Sequence, residues 1–334
     1  MISTPTTTPV NWQQEMSRAV REPADLIERL GLPPECTEPA RRAAQLFPLR
    51  VPESYLRRMQ QGNPSDPLLR QVLPLDAEFD EVPGYVSDPL EESDSHLAAG
   101  LLKKYSGRAL MIVTGQCAIH CRYCFRRHYP YAEEPQGLTA WEPAIAAIEA
   151  DTELREILLS GGDPLMLSDR KLHWLTDRLD AIPHLQRLRI HTRLPIVLPS
   201  RITAELISWL QNLRMTPFVV VHANHPQEIQ ADCADSLRTL VRSGIPVLNQ
   251  SVLLQGVNDN VDALTELSER LTNLGVIPYY LHQTDHVAGT AHFAVDETKG
   301  LELIAEMRRR LPGYAVPTFV QELPGEMHKL PLSP

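Results

Sequence analysis

No stretch of the 334 residues is apolar for long enough to cross a bilayer, and the opening Met-Ile-Ser-Thr-Pro-Thr-Thr-Thr-Pro lacks the charged and apolar halves of a secretory leader. These absences point to a cytoplasmic protein outside the membrane. Positive charge is also short: 32 lysines and arginines against 42 acids leave a formal net charge of -10. A non-specific nucleic-acid surface needs a basic stripe, so that class is set aside, although a local basic patch for a protein partner is compatible with the balance. Cysteine is scarce, with five residues in all. Cys36 and Cys233 lie far apart and, in a reducing compartment, read as unpaired packed or surface residues. What is present is 43% hydrophobic content, enough to bury a substantial core, and a chain of this length can form one α/β barrel.

The remaining cysteines stand together. Cys117, Cys121 and Cys124 occur in the run Thr-Gly-Gln-Cys-Ala-Ile-His-Cys-Arg-Tyr-Cys-Phe-Arg-Arg. Three thiols so close in sequence can reach one metal centre and leave a coordination position open. A structural zinc would close its tetrahedron with a fourth ligand, for which His120 and His128 are candidates. An iron-sulfur cluster would instead keep one iron free for a substrate. Core cysteines have no reason to cluster in this way.

The first hundred residues differ from the rest. Helical spacing of apolar residues predicts a helix from Trp12 to Leu30 and shorter ones over Glu38 to Phe47 and Pro52 to Arg58, separated by proline-rich breaks. Asn63 to Ser95 is rich in Pro, Asp and Glu and reads as irregular. Within it, Glu91 to Asp94 reads as a solvated acidic loop, with a docking surface as the alternative. Residues 1–103 are thus expected to form a helical and irregular extension, and 104–334 a second unit. From Ala109 onward, short apolar runs alternate with amphipathic stretches, as in a parallel sheet of strand-helix units. The strands are expected at Ala109 to Val113, Glu156 to Leu159, Leu188 to His191, Phe218 to Val221, Val247 to Val252 and Pro278 to Leu281. Helices are expected at Glu142 to Ala150, Ser168 to Ala181, Thr203 to Leu213, Gln227 to Ser243, Asn260 to Leu274 and Thr298 to Arg310, with Ser168 and Thr203 as caps. Six units predict a partial (β/α)6 barrel, open on one side, with its chemistry at the carboxyl ends of the strands.

Those ends are polar. The cysteine run follows the first strand, and Ser160-Gly161-Gly162-Asp163-Pro164 follows the second, where paired glycines admit a ligand to the backbone and Asp163 can accept from an ammonium, or simply cap a tight turn. His191, Thr192 and Arg193 follow the third and His222 the fourth; Asn249 and Gln250 lie in the fifth; His282, Gln283 and Asp285 follow the sixth. Any one of these is ordinarily a satisfied loop or core residue, and their recurrence at strand ends is the signal.

The cysteine spacing of three residues then two, followed by Phe125, resembles the signature of radical S-adenosylmethionine enzymes. From about Lys104 to Lys329 the chain further resembles the lysine 2,3-aminomutase family. The resemblance is carried by those cysteines, Ser-Gly-Gly-Asp-Pro-Leu, His-Thr-Arg-Leu-Pro-Ile-Val-Leu-Pro-Ser-Arg-Ile-Thr, Asn-Gln-Ser-Val-Leu-Leu-Gln-Gly-Val-Asn-Asp, Tyr-Tyr-Leu-His-Gln-Thr-Asp and Val-Pro-Thr-Phe-Val. It implies a 4Fe-4S cluster on Cys117, Cys121 and Cys124, S-adenosylmethionine beside Gly161, Gly162, Asp163, His222 and Gln250, and pyridoxal 5'-phosphate linked to Lys329 with Arg108 on its phosphate and Tyr105 in the same pocket. It implies lysine as the substrate, held by Arg126 at its carboxylate and by Asp285 and Glu322 at its far ammonium, and conversion to β-lysine by migration of the amino group from C2 to C3. Glu322 stands where the catabolic members have aspartate, and Glu326-Met327-His328 stands where they have a glycine run, so a bulkier loop is expected there. The short chain, ending just after the Pro-Gly-Glu-Met-His-Lys segment, resembles the branch that supplies β-lysine, through a lysyl ligase, for modification of translation elongation factor P. A catabolic or osmolyte-producing aminomutase on free lysine or another amino acid, and a non-enzymatic zinc-stabilised module, are the alternatives.

Overall fold

A computed structural model describes residues 11–135 and 137–333; the first ten residues and Pro334, which bound the two expected units, lie outside them. The chain begins with short helices, α1 (Trp12–Ser17), α2 (Pro23–Arg29), α3 (Thr37–Leu46), α4 (Glu53–Leu56) and α5 (Pro67–Arg70). The long helix expected from Trp12 to Leu30 is broken in two. Val20 exchanges backbone hydrogen bonds with Val51 (2.8 and 2.9 Å), and Pro23, which has no N–H to lose, opens α2.

One ten-stranded sheet follows, in chain order from β1 (His96–Ala98) through β2 (Leu101–Tyr105), β3 (Arg108–Thr114), β4 (Glu156–Gly161), β5 (Arg187–His191), β6 (Thr216–Val221), β7 (Val247–Val252), β8 (Ile277–His282) and β9 (Thr318–Gln321) to β10 (Leu330–Pro331). Strands β3 to β9 are parallel, and β1, β2 and β10 add antiparallel edges. All six expected strands are present. Helices α6 (Glu142–Ala150), α7 (Asp169–Asp180), α8 (Leu194–Val197), α9 (Ala204–Asn212), α10 (Ala231–Arg242), α11 (Val261–Asn273) and α12 (Glu297–Arg310) lie in the connections, one long helix for each of the six units. This is a partial barrel. The amphipathic stripes work as periodicity requires: α7 buries Leu172, Leu175, Thr176 and Leu179, and α11 buries Leu264, Leu267, Ser268 and Leu271. Thr203 caps α9 by accepting from the Leu206 amide, whereas Ser168 holds the cap position of α7 without a side-chain cap bond. The helix expected from Gln227 begins only at Ala231, because Glu228 turns inward to a buried arginine.

The short edge strands escape periodicity because each is two to five residues long. Strand β10 matters most for the site. It pairs Leu330 with Gln321 and so folds the chain end back on β9, setting Lys329 beside Glu322. The expected boundary at residue 103 falls inside β2, and Leu26, Tyr55 and Leu69 of the leading helices share one apolar core with Met111, Leu159 and Leu188 of the barrel.

Candidate active site

The cysteine loop leaves β3 and is built against β4. Gly162 N donates to Thr114 O and Asp163 N to Gln116 O, each at 2.7 Å. A Cβ at Gly161, whose φ is +122°, would lie 2.4 Å from Thr114 O, and one at Gly162 would lie 2.4 Å from Gln116 O. The close approach that these glycines permit is therefore made by the chain itself, on the side where a side chain would stand. Asp163 is likewise engaged: it accepts from Thr192 Oγ1 (2.8 Å), the Arg193 amide (2.7 Å) and the Leu165 amide (3.0 Å), tying the end of β4 to the end of β5. The capped-turn reading fits this geometry, and an ammonium ligand is not needed to explain the residue.

The leading helices clamp the loop from behind. Arg50 donates to Cys117 O (2.9 Å), His120 N to Arg50 O and Arg122 N to Gln71 O. Glu78, fully buried, accepts from Arg122 and Arg127 on either side of Cys124. Arg193 donates to Cys121 Sγ (2.7 Å), Gln71 Oε1 (2.7 Å) and the buried carboxylate of Glu228 (2.8 Å). Sequence patterning does not single out Glu78, Gln71 or Glu228. What marks these two acids as buried is their arginine partners, which lie 35 to 49 positions away.

Burial and the neighbouring thiols push Cys117 well up and Cys124 to about 12. Three thiolates cannot share this space without a compensating cation, which a bound metal centre supplies. The zinc reading does not fit. His120 Nδ1 meets Pro48 O (2.8 Å) and His128 Nε2 meets Ala288 O (3.0 Å), which leaves one ring nitrogen of each available, but the cysteines are not placed for one ion. Among the described residues, no three Cys, His, Asp or Glu side chains converge as a single ion requires. Three thiols each bonded to a different iron need no such convergence.

Across the barrel mouth the charged residues meet. Lys329 Nζ pairs with Glu322, which also accepts from Lys104 (3.1 Å) and Tyr105 OH (2.8 Å). Glu322 is thus held by three donors, while the carboxylate of Asp285 has no hydrogen-bond partner among the described residues. Burial lowers Lys329 to about 8, opposed by Asp285 and helped by Lys104 and Arg126. Burial raises Asp285 to about 6, with Lys329 opposing. These mutual effects place Lys329, Asp285, Glu322, Lys104 and Arg126 in one field. The expected bulk before Lys329 is harmless: Glu326, Met327 and His328 are exposed, on a turn that Gly325 enters at a φ of +77°.

Three further observations mark room for polar ligands. The Nε2 atoms of His191, His222 and His282 are buried and unpartnered, and burial holds all three imidazoles neutral, His222 at about 3. His222 stacks on Tyr123. The Arg108 guanidinium rests on the Tyr105 ring (4.5 Å) and, among the described residues, has no ion-pair partner, and the Gln250 amide likewise has no described partner. Arg126 is a different case. It is buried and gripped by Glu92, Nε to Oε2 at 2.7 Å and Nη2 to Oε1 at 2.6 Å, with Nη1 on Ser160 Oγ (3.0 Å). The solvated-loop reading of Glu91 to Asp94 is corrected here: Glu92 turns inward because a buried guanidinium demands a carboxylate.

The chain has relatives of known name along nearly its whole length. Residues 111–267 match the Radical SAM superfamily model. The L-lysine 2,3-aminomutase of Escherichia coli K12 is 46% identical over 323 residues, covering 96% of this chain and 94% of that protein. The enzyme of the same name from Haemophilus influenzae is 43% identical, over 96% of this chain and 94% of its own. That from Acetoanaerobium sticklandii is 35% identical, over 97% of this chain and 78% of its own.

Proposed function

The chain belongs to the lysine 2,3-aminomutase family of radical S-adenosylmethionine enzymes, and we propose that it converts L-α-lysine to β-lysine as an isomerase using a 4Fe-4S cluster, S-adenosylmethionine and pyridoxal 5'-phosphate. The observation that carries this reading is the gathering of one arginine, two acids and a lysine of lowered pKa at the barrel mouth. Cys117, Cys121 and Cys124 would hold the cluster, with its fourth iron open. His222 and Gln250, with unpartnered polar atoms, suit S-adenosylmethionine; Gly161, Gly162 and Asp163 support that site by shaping the loop beneath it. Lys329 would carry pyridoxal phosphate, and the unpaired Arg108 suits its phosphate. Together these groups supply hydrogen abstraction at C3 and stabilisation of the nitrogen as it moves from C2 to C3.

The protein's own contribution is orientation. Arg126 fixes the substrate's carboxylate, and Asp285, with its carboxylate free, takes the far ammonium, so the carbon chain is held at both ends. Glu322, already bonded to Lys104 and Tyr105, adds charge there and repels an acidic side chain. Tyr105 therefore acts by positioning Glu322. We further propose a cytoplasmic enzyme whose β-lysine passes to a lysyl ligase for modification of elongation factor P, as the family resemblance implies. No helix among the described residues is long and apolar enough to cross a membrane.

Anaerobic turnover tests the reading: iron- and sulfide-reconstituted protein with all three cofactors, a strong reductant and lysine should yield β-lysine by mass spectrometry, and Cys121→Ala should yield none. Formation of 5'-deoxyadenosine without β-lysine would overturn the substrate and keep the radical chemistry. Transfer of the product to elongation factor P by purified ligase tests its destination. The pH profile gives a second check. Asp285 holds its charge above about 6, so in enzyme already loaded with pyridoxal phosphate kcat/KM for lysine should be level above that pH and fall about tenfold per unit below it. Asp285→Asn should remove that limb and lower kcat/KM roughly a hundredfold.

A further inference from the structure

The proposed substrate contact at Arg126 is filled by the protein's own carboxylate. Glu92 covers Nε and Nη2, one of the two guanidinium edges that a carboxylate grips in two-point fashion, and Ser160 takes Nη1 of the other. The Glu92 side chain is 13% exposed and that of Arg126 6%, so this is no surface pair. The strap that carries Glu92 is anchored at its base beside the substrate pocket: Val86 pairs with the loop after β8, its N–H on His286 O at 3.0 Å and its carbonyl accepting from Ala288 N at 2.9 Å, next to Asp285. Asp88 then caps the turn through the amides of Glu92 (3.1 Å) and Ser93 (3.2 Å). Beyond it the chain is fixed again at β1. Between these two anchors, Glu92 reaches in to Arg126.

Resting on the assignment of Arg126 to the substrate carboxylate, we propose that Glu92 is an internal competitor for that carboxylate, which lysine must displace to bind. With the Nε/Nη2 edge on Glu92 and Nη1 already donating to Ser160, little of the guanidinium is left for a second acid, and two negative charges repel each other in a buried setting. In the empty enzyme, Glu92 spares Arg126 the cost of a buried, unpaired charge. It also sets substrate affinity, because the apparent dissociation constant is the intrinsic one divided by the fraction of molecules whose Arg126 is free. Lys104, which feels the charge of Glu92, is a cation available to the displaced carboxylate. Glu92 is thus a positioning residue, in contact with Arg126 in the empty state and absent from it in the loaded one.

The test is lysine binding by calorimetry to protein carrying its cluster and pyridoxal phosphate but no S-adenosylmethionine or reductant, alongside steady-state turnover of the complete enzyme. Glu92→Gln keeps the volume and removes the charge; it should tighten lysine binding and lower KM roughly tenfold while kcat stays within about twofold. Glu92→Asp, one methylene short of the two-point grip, should fall between. Glu91→Gln removes a neighbouring charge outside the grip and should change neither quantity. Unchanged or weaker lysine binding in Glu92→Gln, beside a wild type that converts lysine normally, overturns the inference alone. Equal tightening in Glu91→Gln also overturns it, because bulk charge would then be the cause. A wild type that neither binds nor converts lysine overturns the substrate assignment, and the inference with it.

Discussion

Lys329→Ala is expected to abolish β-lysine formation, by at least ~10³-fold, while leaving the iron content of the protein unchanged. Burial of the ε-amine is the cause. A lysine links to a carbonyl cofactor only when neutral, and with its pKa lowered to about 8 roughly half of Lys329 is neutral at pH 8, against about 0.3% for an ordinary lysine. The sign follows directly. The depressed pKa means that Lys329 releases its proton at lower pH than a solvated lysine, so cofactor loading should rise as pH increases through about 8. Lys329→Arg should fail equally, because a guanidinium keeps its proton throughout this range. Borohydride trapping followed by peptide mass spectrometry reads the site of attachment. Lys104 is the informative rival: burial lowers its pKa too, and its ammonium lies on the same Glu322 carboxylate. Label found on Lys104 in the wild type would move the cofactor assignment to that residue. Label confined to Lys329, lost in Lys329→Ala with the cluster intact, fixes it.

The barrel was legible because its central strands are buried on both faces. Ile157 to Leu159 and Val219 to Val221 could hardly be anything but strands in a parallel sheet. The edges were not legible: β10 is two residues long and contains a proline, and β9 has only Phe319 and Val320 buried. At the site, motif spacing brought forward the cysteines and the resemblance brought forward Lys329, yet both gave a partial view of their surroundings. Gly161 and Gly162 look like a ligand's entry in sequence and in three dimensions admit the backbone of Thr114 to Gln116. Glu92 looks like one charge in a solvated run and lies on Arg126. In both cases the deciding partner is distant in sequence, and no local pattern of residue types encodes the pairing of one particular acid with one particular arginine.

Glu78 is the sharpest case, and its replacement carries the second large expected effect. Its carboxylate is fully buried and accepts from Arg122 Nε (2.8 Å) and Arg127 Nη2 (2.6 Å), with a further bond to Arg122 Nη2 and one from the Leu75 amide (3.1 Å). Arg122 precedes Cys124 by two positions and Arg127 follows it by three, so one acid from the leading segment holds both flanks of a proposed cluster ligand. Glu78→Ala would leave both guanidinium groups buried without their carboxylate, at a cost of about 3–5 kcal/mol. The expected result is a lower unfolding midpoint in iron-free protein and, separately, poor retention of iron after reconstitution, because Cys124 loses its fixed position. Glu78→Gln, which keeps an acceptor oxygen but not the charge, should be the milder variant. A triple replacement, Glu78→Leu with Arg122→Met and Arg127→Met, distinguishes the two effects. Removing all three charges together should recover much of the stability, since no buried ion is then unpaired. Iron retention should not recover with it, because Arg122 also anchors the loop through Phe47 O (2.6 Å) and Arg127 through Gly289 O (2.9 Å). If stability and iron retention return together, the charges at Glu78 serve the fold alone and the cysteine loop is placed by its backbone bonds to Arg50 and Gln71.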